Sequence, residues 1–128
     1  MKFKSDFLNE IDARGFILGS GIAYKTGKGI IPIRKMNKLP YNVIAEKYSL
    51  EYGHDQIELP TDSIEEGQKI VLVDDVLATG GTTEAAIKLI DRLGGQLCAI
   101  IFLLELKDLN GRTKIAKYAN NIHSLIEF

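Results

Sequence analysis

This 128-residue chain has no tryptophan, a single cysteine and no excess of either charge. One cysteine, Cys98, excludes an internal disulfide and any multi-cysteine metal site. It stands in the apolar run "LCAIIFLLEL" and reads as a small buried hydrophobe. Sixteen basic against seventeen acidic residues give a net charge of −1, which argues against a nucleic-acid backbone as partner. No stretch approaches the roughly 18 consecutive apolar residues of a membrane span, and "MKFKSDF" has no apolar targeting core. His54 and His123 have no companion ligands nearby in sequence. Repeats, low-complexity tracts and linkers are also missing. A soluble, cytoplasmic domain is expected, with no membrane or nucleic-acid partner. Hydrophobic residues at 45% and charged residues at 26% suit one compact domain spanning 1–128.

What is present alternates between two periodicities. Phe3 to Ile11 reads as a short strand, and "GFILGSGIAYKTG" as a helix packed through small residues and ending at Gly27. "GIIPIRK" is a second strand, with Pro32 suggesting an edge or a kink. Residues 41–60, "YNVIAEKYSLEYGHDQIELP", form two extended arms joined around Gly53, a hairpin-like excursion. "EEGQKIVLVDDV" gives a turn and then a continuous β-branched run of the kind buried on both faces. Thr82 to Leu93 carries apolar residues at helical spacing, and "RLGG" stops it. "QLCAIIFLLEL" is another buried strand, "NGRTKIAKYAN" a short helix and "IHSLIEF" a last strand. Strands alternating with helices predict an α/β fold with a parallel sheet and right-handed crossovers.

The chemistry concentrates in "IVLVDDVLATGGTT", Ile70 to Thr83. In such sheets ligands bind beyond the carboxyl ends of the strands, where Asp74 and Asp75 stand. Ala78, Thr79, Gly80, Gly81 and Thr82 then form the turn into a helix. Glycines let successive amide groups converge on one anion, and the helix N-terminus favours negative charge. Thr79, Thr82 and Thr83 add hydroxyl donors. Carboxylates repel a phosphate but accept hydrogen bonds from a sugar, so the stretch suits a ribose with its phosphate. A helix cap with two solvated aspartates needs only one hydroxyl and leaves the acid pair unexplained. "GSGIAY" lacks the third glycine of a dinucleotide fingerprint. "GIAYKTGKG" has neither the spacing nor the hydroxyl of a triphosphate loop. A phospho-receiver domain would carry its acid pair near the N-terminus.

"VLVDDVLATGGT" resembles the phosphoribosyl-diphosphate signature of the type I phosphoribosyltransferases. "DARGF" (12–16), "IRKMNKLP" (33–40), "YSLEYGHDQIEL" (48–59) and "LLELKDLNGRTKI" (103–115) are similar, in that order, to the adenine phosphoribosyltransferases. The resemblance implies a parallel sheet flanked by helices, with 41–60 as a flexible catalytic loop. It implies ribose binding by Asp74 and Asp75, and binding of the 5-phosphate by Ala78, Thr79, Gly80, Gly81 and Thr82. Asp12, Ala13 and Arg14 match the family's pyrophosphate loop, and Arg34, Lys35 and Lys38 its basic pyrophosphate segment. Arg14 and Phe16 lie towards the base in this likeness. Glu51 and Tyr52 occupy the tip of the closing loop, with Glu51 the candidate acid or base. Mg²⁺ is implied as a cofactor bound mainly through phosphoribosyl diphosphate, with no dedicated metal residues, and a homodimer is implied as the assembly.

The expected activity is purine salvage: a phosphoribosyl group passes from phosphoribosyl diphosphate to adenine, giving AMP and pyrophosphate. The alternatives are a non-catalytic module binding phosphoribosyl diphosphate or a nucleotide, and a phosphoribosyltransferase for another base. "YSLEYG" favours the enzyme, because a sensor has little need of a closing loop. Family members carry a substantial segment before "DARGF" that supplies a hood over the base, whereas eleven residues precede Asp12 here. A shortened domain is therefore expected, with a complete phosphate half and an incomplete purine half.

Overall fold

A computed structural model describes residues 7–11, 15–35, 42–50 and 53–128. Seven strands make one sheet: β1 (Phe7–Ile11), β2 (Gly29–Lys35), β3 (Val43–Leu50), β4 (Gly53–Pro60), β5 (Lys69–Leu77), β6 (Gln96–Glu105) and β7 (Ile122–Glu127). Their spatial order is β3-β4-β2-β1-β5-β6-β7. Helix α1 (Gly15–Thr26) joins β1 to β2, and α2 (Gly81–Arg92) joins β5 to β6. A 3-10 turn (Lys107–Leu109) and α3 (Gly111–Ile115) precede β7. Among the described residues no helix is long and apolar enough to cross a membrane.

The β-branched run of β5 explains its central place. Ile70, Val71, Leu72 and Val73 are all fully buried, flanked by parallel β1 and β6. Alternation along the strand divides them between two cores. Ile70 and Leu72 join Phe102, Leu89 and Ile90 beneath α2, whereas Val71 and Val73 join Ile101 and Ala23 beneath α1. Each such aliphatic side chain contributes about 1.5–3 kcal/mol of transfer free energy. In α1 the buried residues are Gly15, Gly19 and Ala23, four apart, so the helix does lie on the sheet through its small residues. Gly27, at φ +69, follows its last turn.

The hairpin expected over 41–60 is present, and the expectations for Cys98 and "NGRTKIAKYAN" are refined in detail. The 41–60 excursion belongs to the sheet: β3 and β4 form an antiparallel hairpin from Val43↔Pro60 to Leu50↔Gly53. β4 then pairs with β2 at Arg34↔Glu58 and Lys35↔Ile57. This makes β2 an internal strand, yet Pro32 keeps an edge-like position, because β4 has diverged before reaching it. Cys98 is half-buried. The pairing jumps from Ile70↔Leu97 to Val71↔Ala99, so Cys98 is the extra residue of a β-bulge and escapes the regular alternation. Finally, "NGRTKIAKYAN" yields only a five-residue helix, which opens after Asn110 has turned into the left-handed region at φ +54.

Candidate active site

The connections place the site. From β1 the chain crosses over α1 to β2 on one side; from β5 it crosses over α2 to β6 on the other. Right-handed crossovers running in opposite directions put their helices on opposite faces. Between β1 and β5 the order therefore reverses, and a crevice opens beyond their carboxyl ends. Pairing of β1 with β5 stops at Glu10↔Val73. Asp74 is the next residue, and on the β6 side it pairs with Phe102.

Asp74 is buried, with 7% of its surface exposed, and Asp75 is half-buried. Asp74 Oδ1 accepts the Asp75 amide at 2.8 Å, and Asp75 Oδ1 accepts the Val76 amide at 2.8 Å. These bonds fix both carboxylates against their own backbone. Gly15 in the first turn of α1 comes so close that a Cβ there would lie 3.2 Å from the Val73 carbonyl and 3.5 Å from Asp74 Oδ1.

Residues Ala78 to Gly80 lead from β5 into α2. Gly80 is the N-cap at φ 88, ψ 0, and no side chain caps the helix. The first helical bond runs from the Glu84 amide to the Gly80 carbonyl, 2.9 Å. By helix geometry the amides of the first turn are left to seek an acceptor outside the helix, and the dipole there favours an anion. Thr79 is exposed and Thr82 half-buried. Thr83 is buried, at 2%, whereas Thr79 and Thr82 are the hydroxyls that reach the surface of the loop.

The hairpin stands beside this loop. A Cβ on Gly81 would lie 3.9 Å from the Ser49 carbonyl. Arg92, at the far end of α2, anchors the hairpin base by donating to the Ala45 carbonyl at 2.8 Å and to Glu46 Oε1 at 3.1 Å. Tyr48 donates to Asp55 Oδ2 at 3.2 Å, and Lys35 Nζ approaches the same oxygen at 3.8 Å. Burial raises the Tyr48 phenol above its ordinary pKa; a hydrogen bond with Thr82 partly offsets this, and the nearby Asp55 and Asp74 carboxylates add to the rise. Tyr48 therefore links the basic end of β2 to the phosphate loop, a role beyond packing that local sequence could not reveal. Arg34, beside Lys35, lies over the Phe16 ring, 5.6 Å from its centroid, which joins the end of β2 to the start of α1.

The structure thus gathers Phe16, Arg34, Lys35, Asp74, Asp75 and the 78–82 loop around the carboxyl ends of β1, β2 and β5. Asp12, Ala13, Arg14, Lys38, Glu51 and Tyr52 lie outside the described residues. Among the described residues no three His, Cys, Asp or Glu side chains converge as a metal site. A Mg²⁺ ion arriving on a diphosphate would keep most of its ligands from substrate phosphates and water, so the site needs no carboxylate cluster of its own.

A paired-carboxylate strand end running into a glycine-turned loop and helix N-terminus at a switch point suits a phosphorylated ribose. The phosphoribosyl transferase domain model matches residues 3–128, and the chain belongs to the phosphoribosyltransferase family. Relatives within that family include adenine phosphoribosyltransferases. That of Ruminiclostridium cellulolyticum is 47% identical over 123 residues, covering 96% of this chain and 71% of its own length. The crystal structure of adenine phosphoribosyltransferase from Thermoanaerobacter pseudethanolicus superposes with a TM-score of 0.93 at 48% identity, covering 98% of this chain and 72% of that one. The Saccharomyces cerevisiae enzyme, crystallised with an imino-altritol bisphosphate and adenine, gives 0.91 at 35% identity, over 97% and 69% of the two chains.

Proposed function

We propose that this chain transfers the phosphoribosyl group of phosphoribosyl diphosphate to adenine, forming AMP and pyrophosphate. The observation that carries this reading is the continuity of Asp74 and Asp75 with the Gly80-turned loop at the N-terminus of α2. It is supported by the 47% identity to an adenine phosphoribosyltransferase and by the adenine bound in the yeast relative.

In this reading the 78–82 loop holds the 5-phosphate and Asp74 and Asp75 hold the ribose hydroxyls. Arg34 and Lys35, with Asp12, Ala13, Arg14 and Lys38, receive the pyrophosphate. Arg14 and Phe16 lie towards the base, and Glu51 and Tyr52 close over the reaction. Mg²⁺ carried on the diphosphate supplies charge neutralisation at the leaving group. The C1–pyrophosphate bond breaks ahead of attack by the purine nitrogen, so positive charge develops at the anomeric carbon. The protein contributes by positioning both partners, stabilising the departing anion and excluding water. Its phosphorylated ligands are anions retained by the compartment that makes them, which is compatible with a cytoplasmic reaction. A homodimer is favoured by the exposed apolar face of α1, where Ile17 is 79% and Tyr24 93% accessible.

The test is conversion of radiolabelled adenine with phosphoribosyl diphosphate and Mg²⁺, run beside hypoxanthine, guanine and orotate. AMP should form, with adenine far preferred. Tight binding of phosphoribosyl diphosphate without any nucleotide would mark a binding module, and a nucleotide from another base would overturn the base assignment.

A further inference from the structure

Behind the phosphate loop lies a turn that the reaction scheme above does not use. Gly111 is buried, and a Cβ on it would overlap the Ala78 carbonyl oxygen and stand 2.9 Å from Leu77 Cδ1. Conversely, a Cβ on Gly80 would lie 3.0 Å from the Gly111 carbonyl oxygen. The two glycines thus face each other, backbone against backbone, and neither segment could approach this closely with a side chain between them. The loop rests on the 110–112 turn as on a floor.

That floor is held by an ion pair. Arg112 Nε donates to both oxygens of Glu105, at 3.2 and 3.1 Å, and Nη2 donates to Oε1 at 2.7 Å. Its Nη1 donates to the Ile122 carbonyl at 3.1 Å, and Nη2 reaches Ser124 Oγ at 3.4 Å. Ser124 Oγ in turn donates to Glu105 Oε1 at 2.8 Å. Glu105 is only 4% exposed and is the register partner of Leu77, the residue leading into Ala78. The Leu106 amide also donates to the Leu77 carbonyl at 2.9 Å. Glu105 is buried while the Arg112 side chain remains 40% exposed, so the pair is partly solvated and its charge contributes modestly to stability. What a forked guanidinium supplies beyond charge is direction, since its donors fix one orientation of the turn it belongs to.

We propose that Arg112 is a positioning residue: through Glu105 and Gly111 it sets the height of the Gly80 turn, and with it the convergence of the loop amides on the 5-phosphate. This rests on the phosphoribosyl reading of the site given above. Arg112 itself touches no substrate in this scheme. The loss it controls should therefore appear in the binding of phosphoribosyl diphosphate and not in the handling of the base.

The experiment measures the Kd for Mg²⁺–phosphoribosyl diphosphate by calorimetry, with KM for adenine, kcat and Tm, in the wild type and four variants. Arg112→Met and Gly111→Ala should each weaken phosphoribosyl diphosphate binding about 10- to 100-fold, comparable to losing one charge-assisted hydrogen bond. KM for adenine, measured at saturating phosphoribosyl diphosphate, should move less than about threefold, within the scatter of such measurements. Arg112→Lys, which keeps the charge and loses the fork, should recover only part of the affinity. The double variant Glu105→Leu/Arg112→Met should regain much of the lost Tm but not the lost affinity. A brace that acts only on stability would lower Tm and the active fraction while leaving Kd unchanged, and recovery of affinity in the apolar double variant would equally overturn the inference. Should Arg112→Met fail to fold, Gly111→Ala and Arg112→Lys decide the matter by the same readouts. A wild-type chain that binds no phosphoribosyl diphosphate removes the underlying reading and this inference with it. Tight binding in wild type and variants alike removes the inference alone.

Discussion

Gly80 and Gly81 are adjacent in sequence, yet substituting alanine at each should have opposite effects. Gly80 sits at φ +88, where a Cβ would lie 3.0 Å from the Gly111 carbonyl oxygen and 3.4 Å from Gly111 Cα. The left-handed conformation costs a non-glycine residue about 1–2 kcal/mol, before any cost of the tight contact. In a chain of this size that lowers Tm by about 3–10 °C. Relief of the contact also tilts the loop, and loss of one charge-assisted bond to phosphate costs about 1.5–3 kcal/mol, or about 10- to 150-fold in affinity. Gly81 is the first residue of α2, outside the positive-φ region, and its Cβ would meet nothing closer than 3.9 Å. Alanine there reduces the freedom of the unfolded chain and should raise stability by about 0.4–1 kcal/mol. Thermal melts, followed by calorimetry with phosphoribosyl diphosphate for Gly80→Ala, check both halves. Equal Tm values for the two variants, or unchanged affinity in Gly80→Ala, would refute the argument from loop geometry.

Replacing Asp74 or Asp75 with asparagine should weaken AMP binding by about 10- to 150-fold while affinity for inorganic phosphate holds or rises; equal losses for both ligands would show that the carboxylates do not meet the sugar. Hydrogen bonds from Arg112 hold the Glu105 carboxyl below its ordinary pKa, with Ser124 adding to the effect and burial opposing it. A depressed folded pKa means that the stabilisation is present above the unfolded value of about 4.3 and is lost as pH falls through the folded value. Wild type should therefore lose more stability than Glu105→Gln between pH 5 and pH 2, and parallel melting curves over that range would contradict the assignment. Glu51→Gln should lower turnover by about 10²–10⁴ if Glu51 moves a proton at the purine, with phosphoribosyl diphosphate binding retained; near wild-type turnover would demote it to a loop residue.

What could be read in the sequence was local. The continuous β-branched run marked the central strand β5, and the helical spacing of Ala85, Ala86, Leu89 and Ile90 marked α2 to within a residue. Paired aspartates running into "ATGGT" marked a strand's carboxyl end and the turn into a helix, which lie beside the switch point between β1 and β5. What could not be read depends on contacts between distant segments. That β4 joins β2 rests on Arg34 meeting Glu58, and the half-burial of Cys98 rests on a bulge against Ile70 and Val71. Tyr48 looks like any strand aromatic until the hairpin sets it beside Thr82 and Asp55. Gly111 looks like a helix-entry glycine until the Ala78 carbonyl is found in the place of its missing Cβ. The one sequence signal for that floor was "NGR" itself, a turn pair followed by a forked cation, which local periodicity reads as an ordinary helix start.

The claim that binds these observations is that one ligand spans the Asp74–Asp75 strand end and the Gly80 loop. A crystal structure of the chain grown with AMP tests it most directly. The phosphate should lie on the amides of the 78–82 loop with Thr79 or Thr82 donating to it, and the ribose hydroxyls should lie within hydrogen-bond distance of Asp74 and Asp75. A phosphate bound elsewhere on the chain, or an AMP whose ribose turns away from both carboxylates, would contradict the account.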